Sequence, residues 1–160
     1  MHILLLRHGD ALETSNDALR ALSPAGRDQA KLAGTILQSL SLIPDLILAS
    51  PILRAVQTAK IVADTLGVNK IQTTEYLTSG SDHRQIFKQL NELSPKKVLL
   101  VGHEPHLSLM VSLLIAGNRT AQMEMRKGML VLCDSGEPVA PSSGILRWIL
   151  PPEVSARIRG

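Results

Sequence analysis

Three short, largely apolar runs, Ile3–Leu6, Leu46–Ala49 and Lys97–Val101, each break off in a polar or glycine-bearing cluster that leads on to a helix start. None alternates apolar with polar residues, so each reads as a strand buried on both faces. A sheet buried on both faces needs a helical layer on each side, and parallel neighbours need long crossovers between them. That combination restricts the chain to an α/β sandwich.

The intervening segments supply the helices. Ser23-Pro24 joins a capping hydroxyl to a proline at the first helical position, and Ala30, Ala33, Leu37 and Leu40 follow at steps of three and four. This predicts a helix of about 18 residues. Ser50-Pro51 reads as a second such start, with Val56, Ala59, Ala63 and Leu66 as the apolar stripe and Gly67 as the stop. Lys70–Thr74 is a third strand candidate, and Ser81-Asp82 caps a helix carrying Ile86, Leu90 and Leu93. Pro105 opens a helix to Ala116, closed by Gly117. Met129–Cys133 and Gly144–Leu150 read as a hairpin, and Asp10–Leu22 as a polar, aperiodic loop. No linker or low-complexity tract interrupts the chain, so residues 1–160 are expected to form one domain: a three-layer sandwich, mostly parallel in its central sheet, with helices on both faces.

Composition removes several functions. Trp148, Tyr76 and Phe87 are the three aromatics in 160 residues, too few for a single-strand nucleic-acid stacking platform. The formal charge of +3 is not gathered into a stripe, which speaks against duplex binding. Cys133 is the sole cysteine and lies in an apolar run, where it reads as a small buried hydrophobe. Residues 98–117 have the length of a membrane span, but Gly102-His-Glu-Pro-His106 at their centre excludes one facing lipid. With four apolar residues before Arg7, the amino terminus is too short for an export signal, and a cytoplasmic protein is expected.

In open α/β sheets ligands bind beyond the carboxyl ends of the strands. Arg7-His8-Gly9 follows the first strand there and Gly102-His103-Glu104 the fourth, while Arg54 lies one turn into the helix after the second. Two guanidiniums with forked donors, two imidazoles and a helix amino end suit a tetrahedral phosphate dianion. His8 is the better nucleophile candidate because Gly9 lets backbone approach and orient its ring. Taken singly, each of these residues also fits an ordinary polar loop or a solvated helix turn.

Arg7-His8-Gly9, Ser50-Pro-Ile-Leu-Arg54-Ala-Val-Gln-Thr58 and Val101-Gly-His103-Glu-Pro105, in that order, resemble the motifs of the histidine phosphatase superfamily. The short chain, with Leu77-Thr-Ser-Gly-Ser-Asp82, Arg126-Lys-Gly128 and Leu146-Arg-Trp-Ile-Leu-Pro151, is similar over roughly residues 1–152 to its compact SixA-type phosphohistidine phosphatases. The resemblance implies a phosphoglycerate mutase-like fold and His8 as the phosphorylated nucleophile. Arg7, Arg54 and His103 would line the phosphate pocket with it. It also implies a phosphohistidine-bearing protein as substrate, and inorganic phosphate or other small oxyanions as pocket ligands. Neither nucleic acid nor membrane is expected as a partner.

A small-metabolite phosphatase and a non-catalytic phosphate-binding module remain as alternatives. Departure of an oxygen leaving group needs an acid, and among Asp10, Glu13, Glu75, Asp82 and Glu104 spacing singles out none. His106 is expected to be exposed on the first turn of its helix, and His103-Glu-Pro-His106 lacks the four-residue spacing of a zinc helix. No metal or other cofactor is expected.

Overall fold

The computed structural model describes the backbone of residues 1–159 and the side chains of residues 1–157. Strand β1 (His2–Arg7) leads to helix α1 (Pro24–Ser39), β2 (Leu46–Ala49), α2 (Leu53–Leu66) and β3 (Ile71–Thr73). Helix α3 (His83–Leu93), β4 (Lys97–Gly102), α4 (His106–Ala116), β5 (Leu130–Ser135), β6 (Gly144–Leu150) and α5 (Pro152–Arg159) complete the order. The six strands form one sheet in the order β3-β2-β4-β1-β5-β6. The first four are parallel, while β5 runs antiparallel to β1 and β6 antiparallel to β5.

This order explains the two helical layers. The chain steps from β1 outward to β2 and β3, then reverses to place β4 between β2 and β1. Right-handed crossovers put helices on opposite faces when the direction of travel reverses. Accordingly α1 and α2 pack Ala33, Leu37, Ala59 and Val62 against Leu4, Leu6, Ile47 and Leu99 of one face. Helices α3 and α4 pack Ile86, Leu90, Met110 and Leu114 against Ile3, Leu5, Leu48 and Leu100 of the other. Leu4, Leu5 and Leu6 are fully buried, each contributing about 1.5–3 kcal/mol on transfer from water. Cys133 faces the same interior, and burial pushes its thiol up to about 12, the state of an inert hydrophobe. Among the described residues, no helix is long and apolar enough to cross a membrane.

Several expectations are corrected in detail. Helix α1 has 16 residues, capped by Ser23, whose hydroxyl accepts from the Gly26 N–H. Helix α2 begins at Leu53, not at Ser50-Pro51; its cap Ile52 is aliphatic and offers no side-chain acceptor, and the Ser50 hydroxyl, which accepts from the Ile52 N–H at 3.3 Å, also pairs with His103. The loop 10–22 contains a 3-10 turn at Asp17–Leu19 and a bridge from Ala11 to Leu22. The terminal helix α5 carried no apolar period that would have announced it.

Candidate active site

Register brings the site together. Arg7 lies beside Gly102, and Ala49 beside Val101. One further backbone bond extends each ladder: His8 N–H donates to Gly102 O at 3.1 Å, and Ser50 N–H to Val101 O at 2.9 Å. Three chain-distant residues, His8, Ser50 and His103, thereby stand side by side at the carboxyl edge of β1, β2 and β4.

His8 is held from both ring nitrogens. Its Nδ1 lies 2.7 Å from the Gly9 carbonyl, which only accepts, so Nδ1 carries the proton and Nε2 keeps its lone pair. The Arg54 Nε–H donates to that Nε2 at 3.1 Å. Burial, opposed by the Gly9 carbonyl and aided by His103, Arg54 and Arg7, lowers the imidazole to about 3. His8 is therefore a neutral base at physiological pH.

Gly9 orients the ring through its backbone, as expected, and has a second role in packing. Its missing side chain makes room for α1, since a Cβ there would lie 2.4 Å from the Gly26 carbonyl oxygen. Its N–H donates to Thr58 Oγ1 at 3.1 Å, and the Thr58 hydroxyl donates to the Arg54 carbonyl at 2.7 Å. Thr58 thus ties the His8 loop to the first turn of α2. Its position four residues after Arg54 was the available signal, and sequence reasoning gave it no role.

His103 follows β4, its ring centroid 5.0 Å from that of His8 and tilted by 57°. Its Nε2 pairs with Ser50 Oγ at 2.8 Å, while its buried Nδ1 has no partner among the described residues. Burial and the Arg54 charge lower it to about 4, with Asp17 opposing. Arg7 approaches from β1 and donates through Nη1 to the Met125 carbonyl at 2.8 Å. A cleft of about 200 Å³ opens in front, lined by Asp17, Ile52, Arg54, Thr78, Ser79 and His103. Of the four predicted residues, Arg54 and His103 line this cleft and His8 meets both of them, whereas Arg7, at the end of β1, is outside the lining.

Residues 3–78 match the model of the histidine phosphatase superfamily, branch 1. The phosphohistidine phosphatase SixA of Escherichia coli K12 is 30% identical over 122 residues, which cover 73% of this chain and 76% of SixA. The chain belongs to the histidine phosphatase superfamily. A solved structure of the protein histidine phosphatase SixA with tungstate superposes with a TM-score of 0.85 at 26% identity, covering 95% of this chain and 97% of that one. The alpha-ribazole phosphatase of Shigella flexneri shares the fold at a TM-score of 0.69 and 20% identity, covering 95% and 97% of the two chains.

Within this histidine phosphatase site, the five carboxylates weighed from sequence all lie outside the cleft lining. Asp10 is held by Lys127 at 2.6 Å and by the Ser23 hydroxyl at 2.7 Å. Glu13 pairs with Arg20, and Asp82 caps α3 and pairs with Arg84. Glu104 accepts from the Ser108 N–H at 3.1 Å and the Met125 N–H at 3.4 Å, and Glu75 stands exposed in a 3-10 turn. Sequence reasoning missed Asp17, whose carboxylate does line the cleft. Arg54 donates to it twice: Nη1 to its backbone oxygen at 2.8 Å and Nη2 to Oδ2 at 3.1 Å. These bonds and the Arg54 charge hold the Asp17 carboxyl below the usual range.

His106 is also corrected. It is 2% exposed, stacked on His83 with centroids 4.0 Å apart and planes 10° from parallel. The His83 Nε2–H donates to the His106 carbonyl at 2.8 Å. Helix α4 is apolar around its circumference, burying Leu107, Met110, Val111 and Leu114, so its first turn faces protein where a solvated residue was expected. Among the described residues, no three His, Cys, Asp or Glu side chains gather as a metal site.

Proposed function

We propose that this protein is a phosphohistidine phosphatase acting through a phosphorylated His8. One observation carries the reading: the neutral, lone-pair-bearing Nε2 of His8 is held at the rim by the Gly9 carbonyl and faced by Arg54. In the first step Nε2 attacks phosphorus and the bond to the substrate imidazole breaks, that imidazole retaining or gaining the proton that makes it neutral. In the second step water attacks the phosphoryl group, releasing inorganic phosphate and restoring His8. Arg7, Arg54 and His103 take the phosphoryl oxygens, and Arg54 turns its donors from Asp17 and Nε2 to those oxygens as charge spreads over them. In this reading residues 1–160 act as one histidine phosphatase domain.

The leaving group supports phosphohistidine. Imidazole protonates near neutral pH, whereas an alkoxide needs an acid at the moment of departure. The carboxylate that lines the cleft, Asp17, is ionised by its Arg54 contact and is a poor proton donor. The likeness to SixA favours the same substrate class. A small-metabolite phosphatase is the second reading, because one carboxylate, Asp17, does line the cleft.

The deciding experiment compares a histidine-phosphorylated protein, phosphoramidate, an aryl phosphate and phosphoserine. Rates falling in that order, with acid-labile label trapped on the His8 peptide after an alkaline quench, are expected. Efficient phosphoserine cleavage would move the assignment to the metabolite reading, and label on another residue would remove His8 from its role.

A further inference from the structure

Beside the cleft, the outer side of α3 borders a groove that the chemistry leaves unused. One stretch of about 490 Å³ is lined by Gly80, Ser81, His83, Leu113 and Arg119, among others. A second of about 470 Å³ continues past Lys88, Asn91 and Val139, and the two share Arg84, Phe87 and Pro141. Exposed Pro141 and half-buried Leu113 supply apolar surface, with buried Phe87 and Val139 beneath them. The charges around it are unequally committed. Arg84 holds Asp82 at 2.7 Å and Lys88 stands 3.9 Å from Glu92, whereas exposed Arg119 has no ion pair among the described residues.

Groove and cleft are one turn apart. Thr78 and Ser79 line the cleft, and Gly80 and Ser81 line the groove. The turn is closed by Ser81 N–H to Thr78 O at 3.3 Å and by a 2.6 Å bond between the Thr78 and Ser81 hydroxyls. Such a turn spans less than about 7 Å, which about two extended residues cross. A free phosphorylated metabolite would occupy the cleft alone, while a polypeptide held there by its phosphohistidine must lay its neighbouring residues somewhere on this rim.

We propose that this groove seats the polypeptide that bears the phosphohistidine, taking an apolar side chain of that segment against Leu113 and Pro141 and a carboxylate on Arg119. The proposal rests on the phosphohistidine reading above. Charge selects the occupant: a basic side chain left without a partner, beside acids already neutralised, favours an acidic segment and disfavours a basic one. The apolar floor adds area that a small substrate does not use.

The test uses two peptides phosphorylated on a central histidine, identical except for glutamates or glutamines two to four residues away, with phosphoramidate as the small substrate. The intact enzyme should show a KM about two- to fivefold lower for the acidic peptide, the scale of an exposed charge pair. Arg119→Glu should erase that preference, leaving the kcat for both peptides and the kcat/KM for phosphoramidate unchanged. Because Arg84 also steadies the Asp82 cap of α3, Arg119→Glu is the primary variant, and Arg84→Glu adds to it. Raising salt should weaken the preference in the same way. Equal KM values for the two peptides in the intact enzyme would overturn the groove alone. So would an Arg119→Glu effect shared by phosphoramidate. Failure of the enzyme to turn over either peptide would overturn the phosphohistidine reading and the groove with it.

Discussion

The molecule buries two pairs of histidines a few residues apart, and only one has the makings of a reactive site. His8 and His103 come from the ends of two strands, tilted 5.0 Å apart, with Arg54 on one ring and Ser50 on the other. His83 and His106 come from the starts of two helices and stack at 4.0 Å, bonded to backbone. Burial lowers His8 to about 3, and His103 and His106 to about 4, so proton affinity does not separate the pairs. Company does: His8 meets the guanidinium of Arg54, which lines an open cleft, while His106 meets a second imidazole in the interior.

Deletion breaks the comparison most sharply. His8→Ala should lose at least about a thousandfold in kcat, the scale expected when a nucleophile is removed, and because its ring is buried as well the loss is read on the folded fraction. His106→Ala should lose stability and keep the chemistry. Its buried ring leaves a cavity costing on the order of 2–4 kcal/mol, seen as a lower Tm, while the folded fraction still forms the labelled phosphoenzyme. Label formation in His8→Ala, or its loss in a folded His106→Ala, would erase the distinction.

Next in size is Arg54→Lys. Lysine keeps the charge but cannot place one donor on His8 and two on neighbouring oxygens. A loss of about tenfold in kcat/KM, about 1.4 kcal/mol, is expected, with weaker inhibition by phosphate and vanadate. Kinetics like those of the unaltered enzyme would take Arg54 out of the chemistry.

These two sites were unequally legible. Continuous apolar runs fixed where β1, β2 and β4 end, and strand ends carry ligands in this architecture; Arg7, His8, Arg54 and His103 followed from that. His106 was misread because α4 has no polar stripe to show which way its first turn faces. Ser50 looked like a helix cap, the usual use of a hydroxyl before proline, and only the tertiary pairing of β2 with β4 hands it to His103. Asp17 sits in a loop without period, so nothing local distinguishes it from its neighbours.

Acid tests the property that the two pairs share. An unfolded histidine takes up its proton near pH 6.5, whereas folded His8, His103 and His106 refuse theirs until about 3, about 4 and about 4. Below 6.5 the unfolded chain therefore binds more protons, so stability is full above that pH and falls as pH drops towards 4. Each imidazole adds a slope of up to about 1.4 kcal/mol per pH unit. His106→Phe keeps a stacking ring and removes one titrating group, so its Tm should decline less steeply between pH 6.5 and 4.5. An unchanged slope would mean that His106 is not held neutral.

The smallest effect is expected from the exposed side of the cleft. Asp17→Asn retains the backbone oxygen that accepts from Arg54 and an amide oxygen in place of Oδ2, losing mainly charge. An ion pair with one exposed partner is worth about 0–1 kcal/mol, so kcat/KM for phosphoramidate should change by less than about fivefold. Inorganic phosphate should inhibit slightly better, since no carboxylate then competes for the guanidinium. The substitution also separates leaving groups. If aryl phosphate hydrolysis collapses while phosphoramidate turnover persists, Asp17 protonates oxygen leaving groups and the metabolite reading gains. A hundredfold loss with phosphoramidate itself would mean that a solvent-facing turn matters to the chemistry as much as the buried strand ends, and proximity to Arg54, more than burial, would then mark the working residues.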